Sequence, residues 1–297
     1  MKFCFFFALA CGPLAAATHS YAGAASCRKC HPGEFAAQQS SAHATALRRS
    51  KAPQPGEWAF GAGTQAITFA ARLNADNYVE LGLTWYRQTG AFGLTPGHRD
   101  SKGVPYRIFD PSAAILRCFA CHSTGPLSFS EDESIVPHEL GVRCEACHGP
   151  AADHASDPAR NRMADPKGLS ADELNSLCGE CHRMPAAAGD STDLRNPWNS
   201  RHQPLLLAES RCFRESQGRL SCVTCHSPHA PLETRLSAYD AVCASCHRSP
   251  RHKLPVAGRA CASCHMPAVH PLPHLAFANH RIAVYKASDP MVPVRRQ

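Results

Sequence analysis

The chain has 297 residues, and only 7% of them are aromatic, while 24 are proline and 19 are glycine. That length allows one or two domains, but the composition argues against a large core built from side chains alone. The formal charge is +7 with histidine neutral. The basic residues are scattered and form no cluster interleaved with aromatic residues, which argues against a nucleic-acid partner.

The beginning of the chain has the pattern of a secretory signal. A basic residue precedes a mostly apolar run at 3–17, and Ala22-Gly23-Ala24 offers a small-residue cleavage site. We predict a signal peptide over 1–24, a mature start near Ala25 and a periplasmic or extracellular location. An uncleaved anchor and lipidation at Cys11 are the open alternatives. No later stretch is long and apolar enough to span a bilayer.

One pattern, Cys-x-x-Cys-His, occurs seven times after this leader. Of the 17 cysteines, two lie in the leader and fourteen in these motifs, which leaves Cys212. On a helical turn, positions i, i+3 and i+4 share a face. Two thiols there can form thioethers with the haem vinyl groups, while the adjacent imidazole ligates the iron. Disulfides or zinc would account for the cysteine pairs, but not for a histidine after every pair.

We therefore predict seven covalently bound haems c. The attachment cysteines are Cys27, Cys30, Cys118, Cys121, Cys144, Cys147, Cys178, Cys181, Cys222, Cys225, Cys243, Cys246, Cys261 and Cys264. The proximal ligands are His31, His122, His148, His182, His226, His247 and His265. Residues 25–297 then carry about one haem per 39 residues. Apolar porphyrins at that density replace much of a side-chain core. The expected fold is a mostly α and irregular multihaem cytochrome fold, haem-cored, with a small antiparallel β insertion.

The motif spacing divides the chain. We predict a first haem segment at 25–56, a β-rich insertion at 57–110, a six-haem core at 111–285 and a loose tail at 286–297. Within 57–96, β-branched and aromatic runs broken by "NADN" and "QTG" predict two or three antiparallel strands. Irregular coil wrapped around haem is the alternative for this stretch.

The clearest ordinary helix is "LSADELNSL" at 169–177, where Ser170 and Glu173 form a capping box. It leads directly into the motif at 178–182 and is expected to position that motif. For Cys212 we favour a buried small hydrophobic residue over a free reactive thiol.

Ten histidines beyond the proximal seven follow the leader, enough for a second axial ligand on every iron. His229 follows His226 too closely to reach the opposite face of the same haem, so we expect it to meet a neighbouring iron. The same reasoning applies to His154, which follows His148. The predicted distal ligands are His43, His154, His202, His229, His252 and His280. Surface histidines beside haem propionates, and methionine ligands, remain the alternatives.

Several stretches resemble one family: "CRKCH…SSAHATAL", "GVRCEACHGPAADH", "NPWNSRHQPL", "LSCVTCHSPH" and "CASCHMP…ANHRI". They are similar to exported multihaem cytochromes of the cytochrome c-554 type. The resemblance implies periplasmic electron transfer, packed haem pairs and mostly bis-histidine iron. The implied distal ligands are His43, His154, His202, His229 and His280. Seven haems exceed the four of the simplest members, which leaves open which distal histidine serves which haem.

The broader superfamily includes nitrite reductases and hydroxylamine oxidoreductases. Many of those nitrite reductases use a Cys-x-x-Cys-Lys haem, and this chain has no such motif. We therefore favour an electron carrier, with a quinol-oxidising membrane complex or a terminal reductase as redox partner. Peripheral membrane association and oligomerisation are both compatible with that role. The alternative is an oxidoreductase for a small nitrogen or sulfur oxyanion with one open iron, and the motif at 118–122, near Arg117 and His138, is its candidate.

Overall fold

A computed structural model describes residues 20–74, 77–96, 107–109, 114–184, 191–196, 199–252 and 255–294. The helices are α1 (Ala24–Cys27), α2 (Pro32–Gln39), α3 (Ala114–His122), α4 (Cys144–His148), α5 (Ala152–Ser156), α6 (Ala171–His182), α7 (Gln203–Ala208), α8 (Arg211–Glu215), α9 (Cys222–Cys225), α10 (Asp240–Cys246) and α11 (Cys261–His265). Short 3-10 helices span Pro166–Gly168, Asn199–Arg201 and Leu236–Tyr239.

The strands form small antiparallel sheets. They are β1 (Leu47–Arg49), β2 (Trp58–Phe60), β3 (Ala66–Asn74), β4 (Asn77–Tyr86), β5 (Ala91–Leu94), β6 (Arg107–Phe109), β7 (Ser123–Phe129), β8 (Ile135–Leu140), β9 (Ala268–Val269), β10 (Phe277–Ala278), β11 (Tyr285–Lys286) and β12 (Asp289–Pro293). The predicted combination of helices with small antiparallel sheets is confirmed.

The β structure is more extensive than the two or three strands expected over 57–96. Strands β2 to β5 all lie in that stretch, and β1 and β6 join them in one six-stranded sheet of order β1-β2-β3-β4-β5, with β6 paired to β4. Strand β4 is ten residues long, so it pairs with β5 through residues 83–86 and with β6 through residues 78–80. The three-residue strands β1, β2 and β6 are too short for an alternating pattern to reveal them.

One apolar cluster joins this sheet to the helix that carries the motif at 118–122. Trp58 and Tyr78 from the sheet pack with Phe119 of α3 and Ile135 of β8, and Cys118 lies against the same cluster. The Trp58 and Phe119 rings meet edge to face with centroids 5.0 Å apart. The hydroxyl of Tyr78 accepts a hydrogen bond of 3.0 Å from the amide of Ile135. The sheet therefore provides a rigid support for this motif.

The β7–β8 hairpin holds the segment around His43. The amide of Val142 donates to the carbonyl of His43 at 2.9 Å. Gly141 has φ +81°, and a Cβ atom there would lie 2.2 Å from the carbonyl oxygen of Ala44. Because only glycine allows this backbone approach, Gly141 fixes the position of His43 against the hairpin.

The capping box at the start of α6 is confirmed. The Ser170 hydroxyl accepts from the Glu173 amide, and the Glu173 carboxylate accepts from the Ser170 amide at 2.8 Å. The helix continues without a break through the motif at 178–182 and ends at His182. Helix propagation from a firm N-cap therefore positions this motif.

The segment expected as a loose tail is partly ordered. Strand β12 pairs with β11, and the Asp289 carboxylate accepts from the amides of Met291 and Val292. Met291 packs against a buried cluster that includes Leu206 and Val269. This apolar contact and the turn at Asp289 order a proline-containing stretch. Composition alone predicts that the same stretch is a loose tail. Residues 295–297 lie outside the described chain.

The described chain begins within the predicted leader. Residues 20–24 of the predicted leader are packed against the body of the protein, while residues 1–19 lie outside the described part. Within the described residues, no helix has both the length and the apolar character needed to cross a bilayer.

We expect Gly141→Ala to destabilise the protein well beyond the cost of its positive φ, because the new Cβ atom meets the Ala44 carbonyl. Gly218→Ala is the matched control, since Gly218 has φ +73° but no atom within 4 Å of a Cβ. The control is expected to lower the free energy of unfolding by about 1 kcal/mol. Gly141→Ala is expected to lower it by about 1–3 kcal/mol more. Denaturant unfolding measures both, and equal losses would contradict the close approach.

Candidate haem sites

All seven Cys-x-x-Cys-His motifs lie on helical turns. Helices α4 and α11 each consist of one motif, and α6 ends in another. At the first motif the amide of His31 donates to the carbonyl of Cys27 at 2.9 Å, which closes one helical turn across the motif. The cysteines of the described chain are free thiols. Each pair therefore stands on one face with its histidine, as attachment to a single haem requires.

Five of the proximal histidines face another histidine ring. Their ring centroids lie 6.0 to 6.4 Å apart. The pairs are His31 with His154, His182 with His43, His148 with His229, His226 with His280 and His265 with His252. In every pair the second histidine is one of the predicted distal ligands, and it comes from outside the motif of its partner.

This separation is the one that two axial ligands of a single metal ion need. With metal–nitrogen bonds of about 2 Å on opposite sides, the coordinating nitrogens lie about 4 Å apart and the ring centroids roughly 6 Å apart. The five separations differ by no more than 0.4 Å, as ligands of one kind of metal centre would. The histidine pairs therefore fit a haem iron between them.

The hydrogen bonds of these rings favour the same arrangement. A carbonyl oxygen only accepts, so a ring that meets one through Nδ1 carries its proton there and keeps the Nε2 lone pair for a metal. Five rings make this bond through Nδ1: His122 to Ala46 (2.9 Å), His148 to Ala164 (3.1 Å), His154 to Asn161 (2.7 Å), His265 to Ala283 (2.7 Å) and His280 to Ala278 (3.0 Å). His43 and His182 also bond to backbone, at Pro228 and Arg201.

Burial favours the neutral form of several of these rings, which metal ligation requires. Desolvation is the main cause that lowers the pKa of His43, His122, His182 and His226. It also lowers the pKa of His280 to about 4. A neutral imidazole offers its lone pair at neutral pH without first losing a proton.

Three predicted ligands do not enter such pairs within the described part of the chain. The His122 ring meets the edge of Phe60, with centroids 5.5 Å apart. His202 has a buried Nδ1 without a hydrogen-bond partner, and burial, followed by Arg183, Arg201 and His182, lowers its pKa to about 4. His247 is exposed.

Cysteines of different motifs lie close together, and this orders the motifs in space. Four thiol pairs are within hydrogen-bonding reach: Cys27 and Cys144, Cys121 and Cys181, Cys178 and Cys222, and Cys243 and Cys261. Burial and then the nearby Cys178 raise the pKa of Cys147, and burial and then Cys225 raise that of Cys243. The motifs therefore follow the order 27–31, 144–148, 178–182, 222–226, 243–247 and 261–265, and the motif at 118–122 adjoins 178–182.

Two side chains that the sequence did not single out connect neighbouring motifs. Asn175 on α6 is buried, accepts from the amide of Cys222 at 2.9 Å and donates to the carbonyl of Leu220. Glu145, inside the motif at 144–148, accepts from three backbone amides. Asn175 lies outside the motifs and Glu145 occupies a variable position of its own motif, so neither carries a local sequence signal of its distant partner.

Helical Cys-x-x-Cys-His turns with paired imidazoles are typical of multihaem cytochromes, and the structural neighbours of this chain are multihaem cytochromes. The chain superposes on the outer cell wall cytochrome OcwA with a TM-score of 0.59 and 15% identity, over 88% of this chain and 79% of OcwA. The undecahaem cytochrome from the S-layer of Carboxydothermus ferrireducens gives a TM-score of 0.52 and 18% identity, over 90% of this chain and 52% of that protein.

Sequence comparison points to particular relatives. The family model of cytochrome c554 and c-prime matches residues 101–149. Over 111 residues the chain is 30% identical to the multihaem cytochrome MtrA of Shewanella baltica (strain OS185), a match that covers 36% of this chain and 27% of MtrA. The chain thus spans about a quarter of the length of this curated relative. The expected similarity to cytochrome c-554 is confirmed over the matched stretch, while the link to hydroxylamine oxidoreductases stays a prediction.

We expect Asn175→Ala to destabilise the contact between α6 and the motif at 222–226. The half-buried amide of Cys222 would lose its acceptor, the buried Asn175 side chain, which costs about 1–3 kcal/mol. Asn77→Ala is the control, because the Asn77 side chain makes an exposed hydrogen bond to Asn74. This substitution is expected to lower the free energy of unfolding by at most about 0.5 kcal/mol. Thermal unfolding of the two variants measures the difference, and equal midpoints would show that Asn175 does not join the motifs.

Proposed function

We propose that the protein is a heptahaem c-type cytochrome that carries electrons between redox partners outside the cytoplasm. The single observation that carries this proposal is the set of five histidine pairs at 6.0 to 6.4 Å, each of which includes a proximal histidine. An iron with two imidazole ligands has no site for substrate, and its task is to gain and lose one electron. The similarity to multihaem cytochromes supports the same role.

In this proposal the ligand pairs cross between motifs. His154, which follows the motif at 144–148, serves the iron of the motif at 27–31, and His229 serves the iron of the motif at 144–148. His154 lies six residues beyond His148 and His229 three beyond His226, so crossed ligation would tie the haem of the motif at 144–148 to those of the motifs at 27–31 and 222–226 through a few residues of backbone. It therefore holds neighbouring haems at a fixed, short separation, and electron hopping depends on that separation.

The protein's own groups set the conditions for transfer. When bound, haem supplies an iron that cycles between the ferric and ferrous states. The paired imidazoles would hold that iron through their ring nitrogens. The backbone carbonyls that accept from Nδ1 orient five of the rings and raise their basicity, which is one means of setting a reduction potential.

The motif contacts support a branched path. The motif at 178–182 adjoins 144–148 through Cys178, 118–122 through Cys181 and 222–226 through Cys178. This motif therefore has three neighbouring motifs to which an electron can pass. We propose that the electron path ends near the motifs at 27–31 and 261–265 and has a side branch at 118–122.

The side branch is the site of the alternative function. The His122 ring meets the edge of Phe60 and bonds through Nδ1 to the Ala46 carbonyl, and after burial the half-buried Arg201 contributes to its lowered pKa. An iron with one open position there would suit a multihaem oxidoreductase that acts on a small nitrogen or sulfur oxyanion. Electron paramagnetic resonance of the oxidised protein distinguishes the two functions, because an open iron is high-spin and a bis-histidine iron is low-spin.

Location and partners complete the proposal. We place the protein in the periplasm or outside the cell, exported by its signal peptide. The redox partners are a quinol-oxidising membrane complex or a terminal reductase. The names of the structural relatives, an outer cell wall cytochrome and an S-layer cytochrome, describe extracellular settings and support this location.

We expect seven haems per chain by pyridine haemochrome assay and intact mass. Cys225→Ser should weaken the attachment at 222–226, whereas Cys212→Ser should leave the content at seven. Cys212 makes a suitable control because it lies near the same region, and burial raises its pKa, which keeps the thiol protonated. Loss of a haem in Cys212→Ser, or fewer than seven in the parent, would contradict the proposed set.

We expect His43→Ala to convert one low-spin haem per chain to high-spin, because His182 would lose the ring that faces it. His270→Ala is the control, since His270 is exposed and belongs to none of the five pairs. Low-temperature electron paramagnetic resonance, with haem quantified on the same sample, measures the change. Were the spectrum of His43→Ala that of the parent, His43 would not be a ligand.

A further inference from the structure

The last five residues of the predicted leader are integrated into the fold. The Tyr21 ring packs on His138, with centroids 5.5 Å apart. It also lies over Gly125, where a Cβ atom would come within 3.1 Å of it. Ala24 is 1% exposed and begins α1, and the carbonyl of Ser20 accepts from the amide of Ala152 at 3.1 Å.

Two carboxylates hold this segment by its backbone. Glu145 accepts from the amides of Ala22 and Gly23, each at 2.8 Å through a different oxygen. Glu139 accepts from the amide of Ala24 with both oxygens, at 3.1 and 3.2 Å. Glu145 is only 2% exposed, and the amide of Ala151 is its other donor. A carboxylate that is so buried depends on these donors.

Cleavage after Ala24 would remove this arrangement. Glu145 would lose two of its three amide donors, and Glu139 would lose the amide of Ala24. A start at Gly23 would keep one oxygen of Glu145 paired with the new terminus. It would still lose the Ala22 amide, the Tyr21 packing and the Ser20 hydrogen bond. The contacts therefore favour a mature chain that retains residues 20–24.

We propose that the leader is removed upstream of Ser20, at the bond between Ala17 and Thr18. Ala15 and Ala17 supply the small residues that a signal peptidase requires three and one positions before the cut. Water hydrolyses the peptide bond, which leaves a carboxylate on Ala17 in the leader and an ammonium group on Thr18 in the mature protein. This inference rests on the proposed export of the protein.

The retained segment, residues 20–24, has a role beyond its own stability. It runs directly into the motif at 27–31, while Glu145 lies between the two cysteines of the motif at 144–148. The thiols of Cys27 and Cys144 are within hydrogen-bonding reach. Residues 20–24 and Glu145 therefore lock these two haem sites together, and a shorter mature chain would leave their separation less fixed.

The direct test is N-terminal sequencing of the holoprotein purified from the exported fraction. A first residue at Thr18, or elsewhere up to Ser20, is the expected result. A first residue at Gly23 or Ala25 would overturn the inference. Haem content, measured on the same sample, tests the proposed function separately. A haem-loaded chain that starts at Ala25 would contradict only the inferred cleavage site. A haem-free chain that starts at Thr18 would contradict only the proposed function.

A second test uses a foreign leader whose cleavage leaves the chain starting at Ser20 or at Ala25. The Ser20 form should have the same melting temperature as the parent, and the Ala25 form a melting temperature roughly 5 °C lower. Glu145→Ala should lower the melting temperature of the Ser20 form and have a smaller effect on the Ala25 form, because the two changes remove the same contacts. Glu180→Ala is the matched control, since Glu180 lies between the cysteines of its own motif but is exposed. Equal melting of the Ser20 and Ala25 forms would contradict the role of residues 20–24.

Discussion

The organisation of this protein depends on the pairing of imidazole rings from segments that are distant in the chain. His43 and His182, like His31 and His154, lie more than a hundred residues apart, yet each pair meets with ring centroids close to 6 Å apart. Two nitrogens on one metal ion must satisfy a narrow distance and an opposed orientation. If a metal ion joins such pairs, as proposed, each would act as a long-range crosslink, and closing large loops in this way would remove conformational freedom from the unfolded chain.

The secondary structure is short because it serves this pairing. Most helices that carry motifs are only four to seven residues long. Such helices are not stable on their own, and a haem attached to both cysteines would supply the apolar contact that they lack. The exceptions are informative. The motif at 178–182 ends a twelve-residue helix with its own capping box, and the motif at 118–122 lies on a helix supported by the six-stranded sheet.

The sequence was sufficient for the features that arise from local chemistry. The cysteine and histidine spacing predicted the motif helices, and Ser170 with Glu173 predicted the start of α6. It also identified the histidines that form the second member of each ring pair, but not which proximal histidine each would face. That pairing depends on the path of the chain between motifs, which no spacing rule encodes. The extra strands and the ordered β12 were missed for a related reason, because they depend on pairing with distant segments and on burial of Met291.

The central position of the motif at 178–182 follows from the same constraint. Its helix is the longest that carries a motif, and Asn175 on that helix bonds to the backbone of Cys222 and Leu220. His43, which faces His182, is held by the β7–β8 hairpin that also contacts α3 and α4. Cysteines of three other motifs also lie beside the cysteines at the end of this helix. If neighbouring haems exchange electrons, a small displacement of this helix would change several haem separations together, so its capping box and its buried Asn175 hold the position on which most of those separations depend.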